Sequence, residues 1–376
     1  MIRMPATKQD TRTPVTLLTG FLGSGKTTLL NRALNDPAMT RTAVIINEFG
    51  EIGIDHALTT ASDDTIMVLE NGCLCCTVFG DLVQTLNRLY HAREAGEVDF
   101  DHVVIETSGL AEAGPILQAF LSEPTLDGLF RLGAVVTTVD VVNGPGTLAD
   151  YPVSVRQVAL ADSILLTKLD MLNPGEREEA MAAMVARLRR INANAPVLES
   201  DDPASDPVAV MRRLIANPKE DANAAKVWLE SALGATNPHA HADAAGQHDT
   251  HGHEHAAGIA SFTLVRDEPL PREALQLLLS SLEKHLGSNL LRVKGLVNVK
   301  EEPGQPAIIQ GAQHLLHNLT WLPEWPDDDH RTRIVFITQD FPPGELEEMV
   351  TMLDRIAHRT AKARERAGGA QTAPPI

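Results

Sequence analysis

The sequence predicts an alternating α/β unit built on a mostly parallel sheet, followed by a smaller α+β unit. Three observations predict it: runs of Val, Ile and Leu that stay apolar throughout, helical apolar spacing between those runs, and a glycine-rich turn that opens the first helix. Strands covered on both faces read as continuous apolar runs, and parallel neighbours need a helical crossover. At 376 residues the chain is long enough for two or three domains.

PVTLLTG (14–20) is a short apolar strand ending in glycine, and a helix follows from Lys26 to Leu34. AVIIN (43–47) is a second buried strand, ahead of the turn-rich run Glu48-Phe49-Gly50-Glu51-Ile52-Gly53. Thr65–Leu69 is a third, leading into Glu70-Asn71-Gly72-Cys73-Leu74-Cys75-Cys76-Thr77. Phe79, Leu82, Val83, Leu86 and Leu89 then share one face of a helix over 79–95. HVVIE (102–106), GAVVTTVD (133–140) and SILLTKLD (163–170) are further strands, separated by helices near 115–122, 153–161 and 175–191. In such sheets ligands sit beyond the carboxyl ends of the strands, where every candidate motif falls.

The α/β domain is expected over 14–225, after an N-terminal tail at 1–13. Residues 226–258 read as a flexible linker, because TNPHAHADAAGQHDTHGHEHAAG (236–258) has low complexity and little to bury. A small α+β domain over 259–364 begins with ASFTLVRD (260–267) and a helix at 271–286 carrying Leu275, Leu278, Leu279, Leu282 and Leu286. Extended segments at 289–299, 306–321 and 332–338 make a mostly antiparallel sheet, and a helix near 344–362 precedes a tail at 365–376.

A net charge of −18 argues against a nucleic-acid partner, since phosphate neutralisation needs a basic face, and it favours drawing in cations. The polar N-terminus carries no apolar signal region and no stretch is long enough to span a bilayer, so no membrane partner is expected. The three cysteines offer no disulfide framework, which makes a cytoplasmic location the expectation.

Gly20-Phe21-Leu22-Gly23-Ser24-Gly25-Lys26-Thr27 meets the phosphate-loop pattern, with the required strand before it and helix after it. The first domain is therefore a phosphate-loop NTPase fold. Gly20, Gly23, Ser24 and Gly25 let backbone N–H groups converge on phosphate oxygens at a helix N-terminus, with Thr28 in its first turn. Lys26 is expected to neutralise the β- and γ-phosphates, and the Thr27 hydroxyl to bind Mg²⁺. In Glu106-Thr107-Ser108-Gly109, Glu106 can hold the Mg²⁺ shell through water while the Gly109 N–H meets the γ-phosphate. Lys26, Thr27 and Glu106 are thus the expected catalytic residues. In Thr167-Lys168-Leu169-Asp170, the Asp170 carboxylate can accept both guanine donors and would repel adenine, while Lys168 lies along the base. GTP is the expected nucleotide.

All three cysteines, Cys73, Cys75 and Cys76, fall within four positions. Thiolates so close together suit a soft or borderline ion such as Zn(II), Cu(I) or Co(II). The alternatives are apolar packing and a redox pair. Asn71-Gly72 and Thr77 indicate a turn rather than a core run, and a bridge between Cys75 and Cys76 is strained, because neighbouring Cα atoms lie about 3.8 Å apart and disulfides prefer about 5.5 Å. His239, His241, His248, His251, His253 and His255 crowd the linker, where a coil can wrap them around Zn(II) or Ni(II) as an exchangeable reservoir.

Together with Asn47-Glu48-Phe49-Gly50-Glu51, these motifs resemble the CobW-type metal-chaperone GTPases over most of the chain. The resemblance implies a GTP-dependent zinc or cobalt metallochaperone that delivers its ion to a client metalloprotein, and it allows a nucleotide- or metal-dependent homo-oligomer. It makes Cys73, Cys75 and Cys76 the metal ligands, with Glu48 or Glu51 as a fourth. Thr167 stands where the family has Asn, which implies weaker guanine binding with the same base choice. The competing function is a metal buffer whose nucleotide site only tunes affinity. A small-molecule kinase is disfavoured by Asp170 and by the lack of an acceptor-binding lid.

Overall fold

Every residue of strand β1 (Thr13–Gly20) is buried, the signature of a central strand covered on both faces. In the computed structural model β1 lies between β4 (His102–Thr107) and β5 (Phe130–Asp140). The structure describes residues 12–49, 66–71, 76–193, 195–201, 208, 211, 258–312, 315–316, 320–341, 344–345, 348, 351–352, 355–356 and 359–360. With β2 (Thr42–Phe49), β3 (Ile66–Asn71), β6 (Ser163–Thr167) and β7 (Val197–Glu199), these strands form a seven-stranded parallel sheet in the order β3-β2-β4-β1-β5-β6-β7. Strands β2 to β4 add on one side of β1 and β5 to β7 on the other. The carboxyl end of β1 is therefore the switch point, where a doubly wound sheet opens a crevice.

Helix α1 (Lys26–Leu34) buries Leu29, Leu30 and Ala33 against Leu18, Val44, Val104, Val136 and Leu165 of the sheet. Further helices of this unit are α2 (Cys76–Glu94), α3 (Gly114–Ser122), α4 (Pro124–Leu129), α5 (Gly144–Asp150), α6 (Pro152–Ala159) and α7 (Arg177–Ile191). Periodicity did not expose α4, α5 or β7, since six, seven and three residues are too few to set a repeat. β5 also begins at Phe130, ahead of the expected start at 133. The expected strand over 163–170 ends early, at Thr167. Lys168 takes a left-handed φ of 60° and Leu169–Met171 form a 3-10 turn. The buried Leu169 kept the apolar pattern going across that break.

A second compact unit begins at Ala257. Its sheet is antiparallel in the order β11-β10-β9-β13-β8, with β12 paired to β10. These strands are β8 (Ile259–Arg266), β9 (Leu290–Val297), β10 (Ala307–Ala312), β11 (Leu315–Leu316), β12 (Thr320–Trp321) and β13 (Thr332–Gln339). Helix α8 (Arg272–Leu286) packs Leu275, Leu278, Leu282 and Leu286 against Val293, Ile309, Ile334 and Phe336. The α/β fold with a separate α+β unit is the architecture the sequence predicts. Among the described residues no helix is long and apolar enough to cross a membrane.

His102 opens β4 in the interior, with Nε2 3.0 Å from Thr16 Oγ1 and Nδ1 3.5 Å from Thr42 Oγ1. Burial, with the nearby Arg131 charge adding to it, lowers its pKa from 6.5 to about 3. The unfolded chain binds a proton below 6.5 that the folded chain refuses until about pH 3, so this group removes stability as pH falls through that window. The slope is at most about 1.4 kcal/mol per pH unit. Urea unfolding between pH 7 and pH 5 should therefore be flatter by about one proton in His102→Gln than in the parent. Equal slopes in the two proteins would contradict the assignment.

Candidate functional site

The phosphate loop leaves β1 at Gly20, whose φ is 142°. A Cβ there would lie 2.4 Å from Thr138 Oγ1 and 2.7 Å from Ser24 Oγ, so only glycine fits the approach of the loop to β5. Ser24 Oγ is itself 2.7 Å from Thr138 Oγ1. Lys26 folds back over the loop, donating to Gly20 O at 2.9 Å and Phe21 O at 3.2 Å. Thr28 is exposed on the first turn of α1.

Thr27 Oγ1 donates to Glu106 Oε1 at 2.7 Å across 79 positions of sequence. The parallel pairing that sets Leu18 against Glu106 makes this contact. It brings a hydroxyl and a buried carboxylate together at the mouth of the phosphate loop. Both are hard oxygen donors suited to Mg²⁺. Gly109 packs on the loop from the same side, where a Cβ would lie 2.5 Å from Leu22 N and 2.6 Å from Leu22 Cα.

At the end of β6, Thr167 Oγ1 donates to Ser24 O at 2.7 Å and to Val139 O at 3.3 Å. Thr167 thus ties the end of β6 to the phosphate loop. Lys168 Nζ donates to Asp140 Oδ2 at 2.6 Å, while Asp170 is exposed on the 3-10 turn that follows. Asp140 also accepts from Val142 N at 2.8 Å, Asn143 N at 3.1 Å and Asn143 Nδ2 at 2.7 Å. Burial pushes its pKa up, but the bonds from Lys168 and Asn143 outweigh burial and leave it below the usual carboxylate range. A cavity of about 210 Å³ lies between the phosphate loop and the α5–α6 segment, with Thr138, Asp140, Asn143 and Lys168 in its wall.

Glu51, Cys73 and Cys75 lie outside the described residues, as do the six linker histidines. Cys76 is the first residue of α2, directly beyond β3, and the backbone of Glu48 pairs in register with Glu70 near the end of β2. Glu48 thus lies near the carboxyl end of β2, and Cys76 opens the helix that follows its neighbour β3 in sequence. Asp140, Thr138 and Gln157 were not singled out from the sequence. For Thr138 and Asp140 the one local signal is the polar ending, Thr137-Thr138-Val139-Asp140, of an otherwise apolar strand.

A sequence model described as the CobW/HypB/UreG nucleotide-binding domain matches residues 14–199, and the cobalamin synthesis protein cobW C-terminal domain matches 259–353. A protein named zinc chaperone YjiA, from Escherichia coli, is 33% identical over 332 residues, spanning 88% of this chain and 96% of that one. The chain belongs to the CobW family. Zinc chaperone CobW of Pseudomonas aeruginosa is 32% identical over 350 residues, covering 87% of this chain and 88% of its own. The crystal structure of the Zn(II)-bound YjiA GTPase from E. coli superposes with a TM-score of 0.62 at 29% identity, over 91% of this chain and 99% of the other. The family read from the motifs is therefore the right one, and both of its domains are present.

The Thr167 link gives a direct test. Thr167→Val keeps the shape of the side chain and removes the bond to Ser24 O. Leaving that buried carbonyl short of a donor should cost about 1–3 kcal/mol, and guanine-nucleotide affinity should fall by about 5- to 150-fold if the whole cost falls on the bound state. Titration with a fluorescent GDP measures it, and unchanged affinity would mean that the hydroxyl does not brace the loop.

Proposed function

We propose that this CobW-family protein is a GTP-dependent metallochaperone, a GTPase that carries zinc, or cobalt, from its cysteine motif to a client metalloprotein. One observation carries the reading: the 2.7 Å contact of Thr27 with Glu106 at the mouth of a complete phosphate loop, on the sheet edge at which β3 ends. Relatives named zinc chaperones support the cargo.

The backbone N–H groups of Gly20, Gly23, Ser24 and Gly25 cradle the phosphates at the N-terminus of α1. The Lys26 ammonium, now bound to Gly20 O and Phe21 O, turns to the β- and γ-phosphate oxygens. Thr27 and Glu106 would hold Mg²⁺, which supplies charge neutralisation at those oxygens when bound. Gly109 presents its N–H to the γ-phosphate. Asp170 accepts the two guanine donors, Lys168 lies along the base, and Thr167 holds that segment to the loop. Cys73, Cys75 and Cys76 bind the cargo ion as thiolates, and Glu48 or Glu51 completes a four-ligand shell.

Metal handover tests the reading. Protein carrying one Zn²⁺ and GTP is mixed with a metal-free acceptor, and release of zinc is followed beside phosphate production. Release should track hydrolysis, and Lys26→Ala, which removes the ammonium from the cradle, should abolish both. Release at the same rate with GDP would leave a metal buffer whose nucleotide site only tunes affinity.

A further inference from the structure

The loop after β4 is gripped from behind by helix α6. Gln157 on α6 is 1% exposed and donates through Nε2 to Ala111 O at 3.0 Å and to Gly109 O at 3.3 Å. Its own main-chain carbonyl accepts from Thr137 Oγ1 at 2.9 Å, which pins this part of α6 to β5. The preceding residue, Arg156, pairs with Glu112 in the same loop. Gln157 Oε1 is buried with no hydrogen-bond partner among the described residues. Leaving a buried acceptor unmet costs about 1–3 kcal/mol, so packing alone does not account for an amide at this position.

Peptide geometry makes the grip directional. In a trans peptide the C=O and the following N–H point opposite ways. Holding Gly109 O and Ala111 O therefore fixes the planes of the peptides that follow each, including the Leu110 N–H, which lies 3.5 Å from Ser108 Oγ. The other side of the segment rests on Leu22 of the phosphate loop, where Gly109 has no room for a Cβ. The loop is thus clamped between Leu22 and Gln157.

We propose that Gln157 is a positioning residue for GTP hydrolysis: it fixes the Gly109–Leu110 and Ala111–Glu112 peptide planes and holds this segment against the phosphate loop, so that the loop after β4 keeps its place beside the γ-phosphate. The same bonds make α6 the element that moves with that loop. This rests on the GTPase reading above. The diphosphate and the base are bound by the phosphate loop and the 167–170 segment, whereas the hydrogen bonds of Gln157 go to Thr137, Gly109 and Ala111.

Two variants test it. Gln157→Met keeps the length of the side chain and removes both donors. Its single-turnover rate with GTP should fall by about tenfold or more, as expected for a misaligned reacting group, while GDP affinity stays that of the parent. Gln157→Glu cannot donate when ionised, but its buried carboxylic acid can. Its rate relative to the parent should therefore recover as pH falls from about 8 to about 6. Parent-like rates in both variants would overturn the proposal, and so would equal losses of rate and GDP affinity, the mark of a merely structural residue. Hydrogen exchange on the unaltered protein covers the cases where a variant fails to fold or the parent does not hydrolyse GTP, the latter being a failure of the GTPase reading alone. Amides of 109–112 and of α6 should gain protection together when a GTP analogue replaces GDP, and independent responses would overturn the coupling.

Discussion

The pairing of β1 with β4 is the constraint on which the rest of the site depends. It sets Leu18 against Glu106 in parallel register and is pinned one residue further on by the 2.8 Å bond from Thr107 Oγ1 to Thr19 Oγ1. Because both strands run the same way, their carboxyl ends open on the same edge. Thr27 at the start of α1 can then reach Glu106 directly. A slip of one residue would turn the Glu106 side chain to the opposite face of the sheet, since strand side chains alternate. No local feature of the phosphate loop could compensate.

Three charged groups at this edge, Lys26, Lys168 and Asp140, are held by hydrogen bonds to the main chain or to one another. Lys26 is anchored on two loop carbonyls, and the Lys168–Asp140 pair is braced by Asn143 and two backbone N–H groups. A partly buried ion pair adds little stability once desolvation is counted, and its use lies in fixing direction. Here it fixes where the Lys168 stem can lie after the left-handed turn at φ 60°. Thr167 is held in the same way, its hydroxyl joining β6 to the loop at Ser24 O.

Much of this was legible in the sequence, and the exceptions have physical reasons. The sheet strands other than β7 declared themselves through apolar runs, and the phosphate loop through its glycine spacing. The break after Thr167 was hidden because Leu169 continues the apolar run while the backbone of Lys168 turns left-handed. Asp140 and Gln157 were missed because their partners, Lys168 and the Gly109–Ala111 carbonyls, stand 28 and nearly 50 residues away and meet them only through the sheet order. Cysteine spacing singled out the metal motif, yet Cys73, Cys75 and Glu51 fall outside the described residues, so the ligand set rests on chemistry and family.

The central claim is that one sheet edge couples phosphate state to metal affinity: β2 and β3 lead into the candidate ligands, and β4 and β1 into the candidate γ-phosphate contacts. If γ-phosphate binding brings the carboxylate of Glu48 or Glu51 to the three thiolates, it tightens the site. The direct measurement is a competition titration of Zn²⁺ against a chromophoric chelator, with GDP and with a non-hydrolysable GTP analogue. The account predicts tighter binding with the analogue by at least about fivefold, and a matching gain in analogue affinity when zinc is present. Equal zinc affinity in the two nucleotide states would contradict it.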